Sequence, residues 1–150
     1  MTESERQERL LVHVAIAVDD LDRVVELYTG LLGTEPEQIT TNSDFDVRAA
    51  IFRTGQVKIE LLEGIGPESA VTRFIEKNGP GLHHLCFSVD DLKGTLADLS
   101  RDGIEIIGDG DDIGVEGYPV AFAHPKSTGG VLLEFIEEPD GSTNGKEDRS

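Results

Sequence analysis

The hydrophobic pattern of this chain describes the same run of elements twice. In the first half, an apolar stretch rich in Val and Ile at residues 10–18 predicts a strand. Asp19 and Asp20 then cap a predicted helix with apolar residues on one face, and Gly33 ends it. Three further strands are predicted, near residues 37–41 and at residues 47–53 and 56–63, the last two forming a hairpin.

The second half repeats this order after a break. A strand is predicted at residues 82–89, followed by a helix that begins at Asp90 and Asp91 and ends before Gly103. The remaining predicted elements are strands at residues 104–107, 118–123 and 130–137, an acidic, glycine-rich loop at residues 108–117 that covers another part of the molecule, and a short helix at residues 69–77 in the segment joining the halves.

Each half therefore predicts a βαβββ module, and the fold class is α+β. A repeat of about 70 residues is too long for a solenoid unit and fits a domain built from two modules. We expect the two βαβββ modules to form an open, barrel-like cup with helices on its outside. The predicted parts are a polar N-terminal arm (1–9), a single domain (10–137) with module 1 at about 10–63, a linker at 64–80 and module 2 at about 81–137, and a polar tail (138–150).

The two halves also match at four polar positions. When the segment that begins at His13 is laid over the one that begins at His84, both continue into Asp-Asp-Leu. When residues 58–63 are laid over residues 132–137, Glu60 falls on Glu134. Each half thus carries one His at the start of a strand and one Glu in a strand near its end.

Strand alternation predicts that these four side chains face the hollow of the cup. His13 shares its face with Ala15 and Ala17. His84 shares its face with Cys86, and in both strands the opposite face carries large apolar residues that belong against a helix. Large apolar neighbours also flank each Glu. A carboxylate directed inwards must be paired or must bind a metal ion, because burying an isolated charge is costly.

Two imidazoles and two carboxylates that face one cavity make a site suited to a divalent metal ion. The donor set is typical of Co²⁺, Mn²⁺, Ni²⁺, Fe²⁺ or Mg²⁺. A lone His or Glu in a strand is more often structural. If all four were structural, however, a His and a Glu would have to occur at matching positions in both halves by chance. We therefore predict metal ligands at His13, Glu60, His84 and Glu134.

Three other residues have simpler interpretations. His83 is predicted on the packed face or at an edge of its strand, as a structural His. His124 precedes Pro125 and is predicted to lie in a turn. Cys86 is interpreted as a small buried filler, since nothing near it in sequence would activate its thiol.

Composition narrows the class of partner. The 150 residues include 30 acidic and 13 basic ones, and the formal net charge of −17 argues against nucleic acid as a partner. No apolar run approaches the roughly 20 residues that span a bilayer, and residues 1–9 are too charged for a signal peptide. A single Cys cannot form an internal disulfide. We therefore expect a cytoplasmic protein without a membrane partner.

Four segments carry a resemblance to a known family. They are His13-Val-Ala-Ile-Ala-Val18, Lys58-Ile-Glu-Leu-Leu-Glu63, Gly81-Leu-His-His-Leu85 and His124-Pro-Lys-Ser-Thr-Gly-Gly-Val-Leu-Leu-Glu134. From about residue 11 to residue 137, the chain resembles the vicinal oxygen chelate superfamily, or glyoxalase superfamily, and within it the methylmalonyl-CoA epimerases. The resemblance implies an isomerase that interconverts (R)- and (S)-methylmalonyl-CoA through a metal-stabilised enolate.

The resemblance also implies cofactors, partners and roles. The cofactor would be a divalent ion, often cobalt, with ligands at His13, His84 and Glu134 and a Gln or Glu at position 60. The protein would be a homodimer that binds an acyl-CoA. Glu134 is expected to act as one acid or base, and either Glu60, if it is loosely bound or unbound, or a water on the metal as the other. Lys126 and Ser127 are expected in a turn that meets the acyl-CoA phosphates or pantetheine, with a solvent-facing Lys126 as the equal alternative. The chain departs from some members at Ala49, where they carry a glutamate base.

Three other functions remain open from the sequence. A glyoxalase I-type lactoylglutathione lyase would use the same four ligands. An iron-dependent extradiol dioxygenase would use two His and one Glu and would leave Glu60 without a role. A metal-free module of the same fold would bind a small molecule such as a drug, and would hold no metal.

The excess of negative charge predicts adaptation to high salt, where screening makes such a charge tolerable. We expect the unfolding temperature to rise between dilute buffer and molar salt. Thermal melts across that range test the expectation, and equal stability at both extremes contradicts it.

Overall fold

The computed structural model describes residues 8–139, which form two βαβββ modules on one eight-stranded sheet and so confirm the expected fold class. Module 1 consists of β1 (Leu11–Ala17), α1 (Leu21–Leu32), β2 (Gln38–Asn42), β3 (Val47–Thr54) and β4 (Val57–Gly64). After α2 (Ala70–Asn78), module 2 consists of β5 (Gly81–Val89), α3 (Leu92–Arg101), β6 (Ile106–Ile113), β7 (Pro119–Ala123), a 3-10 turn (Pro125–Ser127) and β8 (Leu132–Glu137).

The strand order is β2-β3-β4-β1-β5-β8-β7-β6, so the two modules contribute four strands each and meet at β1 and β5. Those two strands pair antiparallel, whereas β1 with β4 and β5 with β8 are parallel pairs. The four strands predicted to carry the site residues therefore lie side by side at the centre of the sheet, in the order β4-β1-β5-β8.

Helices α1 and α3 cover one face of the sheet, as their apolar stripes predict. A backbone N–H in the first turn of each donates to an Asp side chain, Asp20 for α1 and Asp91 for α3, at 3.2 and 3.1 Å. The buried cluster under α1 consists of Val18, Leu21, Val24, Ala50, Phe52 and Leu61, and the one under α3 of Val89, Leu92, Leu96, Ala121, Ala123 and Phe135.

Helix α2 packs on the opposite, inner face of module 1, which differs from the expectation of helices on the outside of the cup. Its Val71 is buried against a cluster of small residues that includes Ala15, Ala17 and Ala49. These side chains leave room for a helix on the inner face. Ser69 caps α2, as predicted, by accepting the Val71 N–H at 3.2 Å.

Strand β6 is longer than predicted, because residues 108–113 extend the strand instead of forming a loop. Gly108 and Gly110 have φ values of 92° and 91°, which residues with a side chain rarely adopt. They fall within the irregular stretch where the β6–β7 register shifts, between Ile107 and Asp112. The predicted loop is thereby reduced to a tight turn at residues 114–118.

No helix within residues 8–139 has both the length and the apolar content needed to cross a membrane. The predicted polar arm and tail lie mostly outside the described residues.

A close backbone approach at the end of β4 supplies a test of the packing of α2. A Cβ at Gly64 would stand 2.6 Å from the backbone nitrogen of Thr72 and 2.8 Å from the Ser69 hydroxyl. We expect Gly64→Ala to lower the free energy of unfolding by about 1–3 kcal/mol, because the helix must shift. Denaturant unfolding measures the change.

The matched control is Gly30→Ala on the exposed side of α1, where an added Cβ meets nothing within 4 Å. Helix propensity favours this substitution by up to about 1 kcal/mol. If both variants unfold at the same denaturant concentration, the proposed clash at α2 is wrong.

Candidate metal centre

The structure brings the four predicted side chains together on the inner face of the sheet. His13 lies on β1, His84 on β5, Glu60 on β4 and Glu134 on β8. All four are buried, with at most 5% of each residue exposed. Strand order produces this arrangement, since each Glu strand is the parallel neighbour of the His strand in its own module.

One nitrogen of each imidazole and one oxygen of each carboxylate approach a common point. Nε2 of His13 lies 3.2 Å from Nε2 of His84 and 3.4 Å from Oε1 of Glu60. Oε1 of Glu134 lies 3.1 Å from Nε2 of His13 and 2.8 Å from Nε2 of His84. Ligand atoms of His13, Glu60 and His84 all lie within 4.8 Å of one another.

Two buried carboxylate oxygens in this group have no hydrogen-bond donor, which is the signature expected of a cation site. They are Oε2 of Glu60 and Oε1 of Glu134. The short distances from Glu134 to the imidazoles therefore do not correspond to hydrogen bonds of acceptable geometry. Buried polar atoms rarely lack a partner, and lone pairs facing one another need positive charge between them. The residues present thus fit a divalent metal ion of hard-to-borderline character.

The charges of these groups depend strongly on one another. Burial would lower the pKa of His13, but the negative charge of Glu60, with contributions from Cys86 and Glu116, raises it well above its usual value. Burial would raise the pKa of Glu134, but the imidazoles of His84 and His13 hold it below the usual range.

Glu60 behaves in the opposite way to Glu134. Burial raises the pKa of Glu60, and the like charge of Glu134 adds to the rise against the opposing charge of His13. The negative charge of the carboxylates therefore stabilises a positive charge placed next to the two imidazoles. A bound divalent ion would provide that charge.

His83 also faces the site, whereas it is predicted on the packed face or at an edge of its strand. In the β1–β5 register, Ala15 pairs with His84 and Ile16 pairs with Leu82, so His83 falls at a bulge. Alternation is lost there, and Nδ1 of His83 lies 2.9 Å from Nδ1 of His84. Burial, followed by the charge of His84, lowers the pKa of His83 to about 4, so the ring is neutral at pH 7.

Glu116, in the turn between β6 and β7, is a site residue that the sequence analysis missed. Its Oε2 lies 2.8 Å from Nδ1 of His13, and its Oε1 accepts a hydrogen bond from Nζ of Lys58 at 2.6 Å. Burial would raise the pKa of Glu116, but His13 and Lys58 together lower it. The only sequence signal was the prediction that this segment covers another part of the molecule.

A cavity of about 320 Å³ opens beside the centre and is lined mostly by apolar side chains. Glu60, His83, His84 and Glu134 form its polar wall. A neighbouring cavity of about 350 Å³ shares His83 and His84 and extends to Pro125. The apolar wall of the first cavity consists of Phe45, Val47, Leu62, Ala70, Val71, Ile107, Val115, Phe122 and Leu132, with Gly114.

The 3-10 turn contains the residues predicted to meet the substrate. Lys126 is largely exposed, with Nζ 3.8 Å from Glu105. The Ser127 hydroxyl donates to the His124 carbonyl and accepts the backbone N–H of Glu105. Neither side chain contacts the four central residues, and their predicted contact with an acyl-CoA stays a prediction. His124 lies in the turn as expected, where its Nδ1 accepts the Lys126 N–H at 2.9 Å.

Cys86 and Ala49 complete the surroundings of the centre. Cys86 is buried near His13 and Glu134, and burial raises the pKa of its thiol. Ala49 is fully buried in the inner-face cluster of module 1 and offers no titratable group.

Comparison with known proteins shows which family this chain resembles. Residues 12–122 match the family described as the glyoxalase/bleomycin resistance protein/dioxygenase superfamily. The chain is 38% identical over 126 residues to a mitochondrial methylmalonyl-CoA epimerase of Mus musculus, covering 83% of this chain and 71% of that protein. It is also 38% identical to an ethylmalonyl-CoA/methylmalonyl-CoA epimerase of Cereibacter sphaeroides, covering 83% and 95%.

A solved structure shows the same fold. It is a variant of Streptomyces coelicolor methylmalonyl-CoA epimerase in complex with 2-nitronate-propionyl-CoA. The TM-score is 0.82 at 32% identity, and the superposition covers 86% of this chain and 96% of that one.

The converging ligand atoms predict that a metal ion stabilises the fold. We expect Co²⁺ to raise the unfolding temperature of the metal-free protein, because an ion that binds only the folded state adds about 2.7 kcal/mol at 100 times its Kd. His84→Ala and Glu134→Ala should lose most of that rise, as followed by thermal melts together with metal analysis after dialysis.

His124→Asn is the matched control, since it removes an imidazole outside the centre and retains an acceptor for the Lys126 N–H. It should respond to Co²⁺ as the unmodified protein does. An equal rise in His84→Ala and Glu134→Ala would place the ion elsewhere.

Proposed function

We propose that this chain, which belongs to the glyoxalase/bleomycin resistance protein/dioxygenase superfamily, is a methylmalonyl-CoA epimerase. The observation that carries the proposal is the convergence of two imidazoles and two carboxylates beside an apolar cavity. Relatives named for this activity match over most of the chain, which supports the same reaction here.

The reaction sets clear requirements for the site. The proton that moves is on the carbon between a carboxylate and a thioester, and it is only weakly acidic. A base must remove it from one face, and an acid must return a proton to the other. A divalent ion held by His13, Glu60, His84 and Glu134 would act as a Lewis acid for the negative charge that develops on oxygen.

We assign one proton-transfer role to Glu134, and the other to Glu60, where it is loosely bound or unbound, or to a water on the metal. Both carboxylates lie at the wall of the cavity beside the imidazoles, where a substrate carbon can approach them. Ala49 is excluded from this chemistry because it carries no titratable group.

The cavity supplies the remaining requirements. Its mostly apolar wall favours the loss of water when a substrate fills it, which would strengthen electrostatic interactions inside. His83 is neutral and lines the cavity beside His84, where it offers a hydrogen-bonding group to the substrate without adding charge.

Finer features belong to the same proposal. We propose cobalt as the ion, from the family resemblance; the nitrogen and oxygen donors themselves suit a borderline cation in general. A homodimer and adaptation to high salt are proposed from the family resemblance and from the net charge of −17. Lys126 and Ser127, in the turn next to the second cavity, are proposed to meet the acyl-CoA.

The assignment predicts that Glu134→Ala and His84→Ala each lower the rate of epimerisation by at least about 100-fold, since a base and a ligand are lost. The proton on the carbon between the carboxylate and the thioester exchanges with solvent deuterium during this step. NMR measures that exchange directly. Retained turnover in both variants, with metal content measured, would contradict the roles.

The matched control is Glu37→Gln, which removes a carboxylate from an ion pair with Arg53 outside the centre. Its rate should equal that of the unmodified protein. The same preparations are tested with the hemithioacetal of methylglyoxal and glutathione. Turnover of that substrate, without epimerisation, would favour a lactoylglutathione lyase.

A further inference from the structure

Glu116 reaches His13 from the other module, on the side of the ring away from the proposed metal ion. Its Oε2 lies 2.8 Å from Nδ1 of His13, whereas Nε2 of the same ring faces His84, Glu60 and Glu134. A carboxylate can only accept, so Nδ1 carries the hydrogen. Nε2 is then left with a lone pair whenever the ring is neutral.

Lys58 holds the carboxylate in place. Its Nζ donates to Oε1 of Glu116 at 2.6 Å, so both oxygens of Glu116 are engaged. Lys58 is the register partner of His13 on the neighbouring strand β4. The three side chains form a chain, Lys58–Glu116–His13, in which one positive and one negative charge compensate each other in a mostly buried position.

The turn that carries Glu116 is itself fixed. The Ile113 N–H donates to Asp44 at 2.8 Å, and the Ile113 carbonyl accepts from Asn42 at 2.9 Å, so the β2–β3 turn of module 1 holds the end of β6. Gly114 is close to the centre, since an added Cβ would stand 3.5 Å from Oε2 of Glu134. Gly114 also bonds across the turn, its N–H donating to the Tyr118 carbonyl at 3.0 Å.

Glu116 is poorly placed to act as a ligand or as the base. Both of its oxygens are occupied by His13 and Lys58, and it does not line the 320 Å³ cavity. Its contacts instead match the outer carboxylate that orients a metal-binding imidazole in many metalloproteins.

We propose that Glu116 is a positioning residue, which fixes the tautomer and orientation of His13 so that Nε2 binds the metal ion, and that Lys58 holds Glu116 in place. The inference rests on the proposed metal centre, whose residues fit a divalent ion. Through Glu116, the β6–β7 turn of module 2 thereby supports His13, a proposed ligand that belongs to module 1.

The test measures metal binding directly. We expect Glu116→Ala to weaken Co²⁺ binding by about 10- to 100-fold in competition with a chelator. Glu116→Gln, which retains an oxygen acceptor, should fall between Glu116→Ala and the unmodified protein. Lys58→Met should weaken binding by a smaller factor in the same direction, and it keeps the proposal testable if Glu116→Ala does not fold.

A second readout separates positioning from a purely structural role. In the Co²⁺-loaded protein, Nδ1 hydrogens of the ligand imidazoles give strongly shifted, exchangeable proton NMR signals. Glu116→Ala should broaden or remove the one that belongs to His13, because the hydrogen loses its acceptor, whereas Glu116→Gln, which keeps a neutral acceptor, should shift this signal and retain it. Glu37→Gln, the control carboxylate, should change neither the signals nor the affinity.

Co²⁺ affinity within twofold of the unmodified protein in every Glu116 variant, with the His13 signal retained, overturns the inference. An unmodified protein that binds no divalent ion overturns it as well, together with the metal centre. An unmodified protein that binds Co²⁺ but does not epimerise the thioester contradicts the proposed reaction alone, and the Glu116 result still decides the inference.

Discussion

The structure depends on keeping four ionisable side chains buried at one point. His13, His84, Glu60 and Glu134 meet with at most 5% exposure each, and two of their oxygens lack a donor. Such a group is unfavourable unless positive charge is held among them, because an unpaired buried carboxylate is costly. The parallel pairing of β1 with β4 and of β5 with β8 brings the charges together, while α1 and α3 bury the opposite face.

The duplication is not symmetrical around this point. In module 1, Lys58 faces Glu116 beside His13, and the inner face is closed by a chain of polar contacts. The matching position in module 2 is Leu132, which lines both cavities. The site therefore has a closed side that fixes one imidazole and an open side where a substrate can approach the other. The βαβββ module with Lys58 thus holds an imidazole in place, and the module with Leu132 leaves the other imidazole accessible to a substrate.

The sequence could predict the fold and the central residues because both follow from local patterns and from the repeat. Strand alternation alone puts His13 and Glu60 on the inner face. His83 could not be placed, because a bulge in the β1–β5 register reverses its direction, and no local pattern predicts a bulge. Glu116 could not be found because its contact with His13 spans 103 residues of sequence. Strand β6 is longer than its pattern predicts, because glycines are typical of loops and here lie within the strand.

The short link between the two modules has a consequence for how the site is assembled. Helix α2 packs on module 1 through Val71, and only Gly79 and Pro80 separate it from β5. Within residues 8–139, β1–β5 is the only strand pairing between the modules. If two copies exchanged their second modules at this link, the same pairing would form between chains and each site would combine residues of both copies.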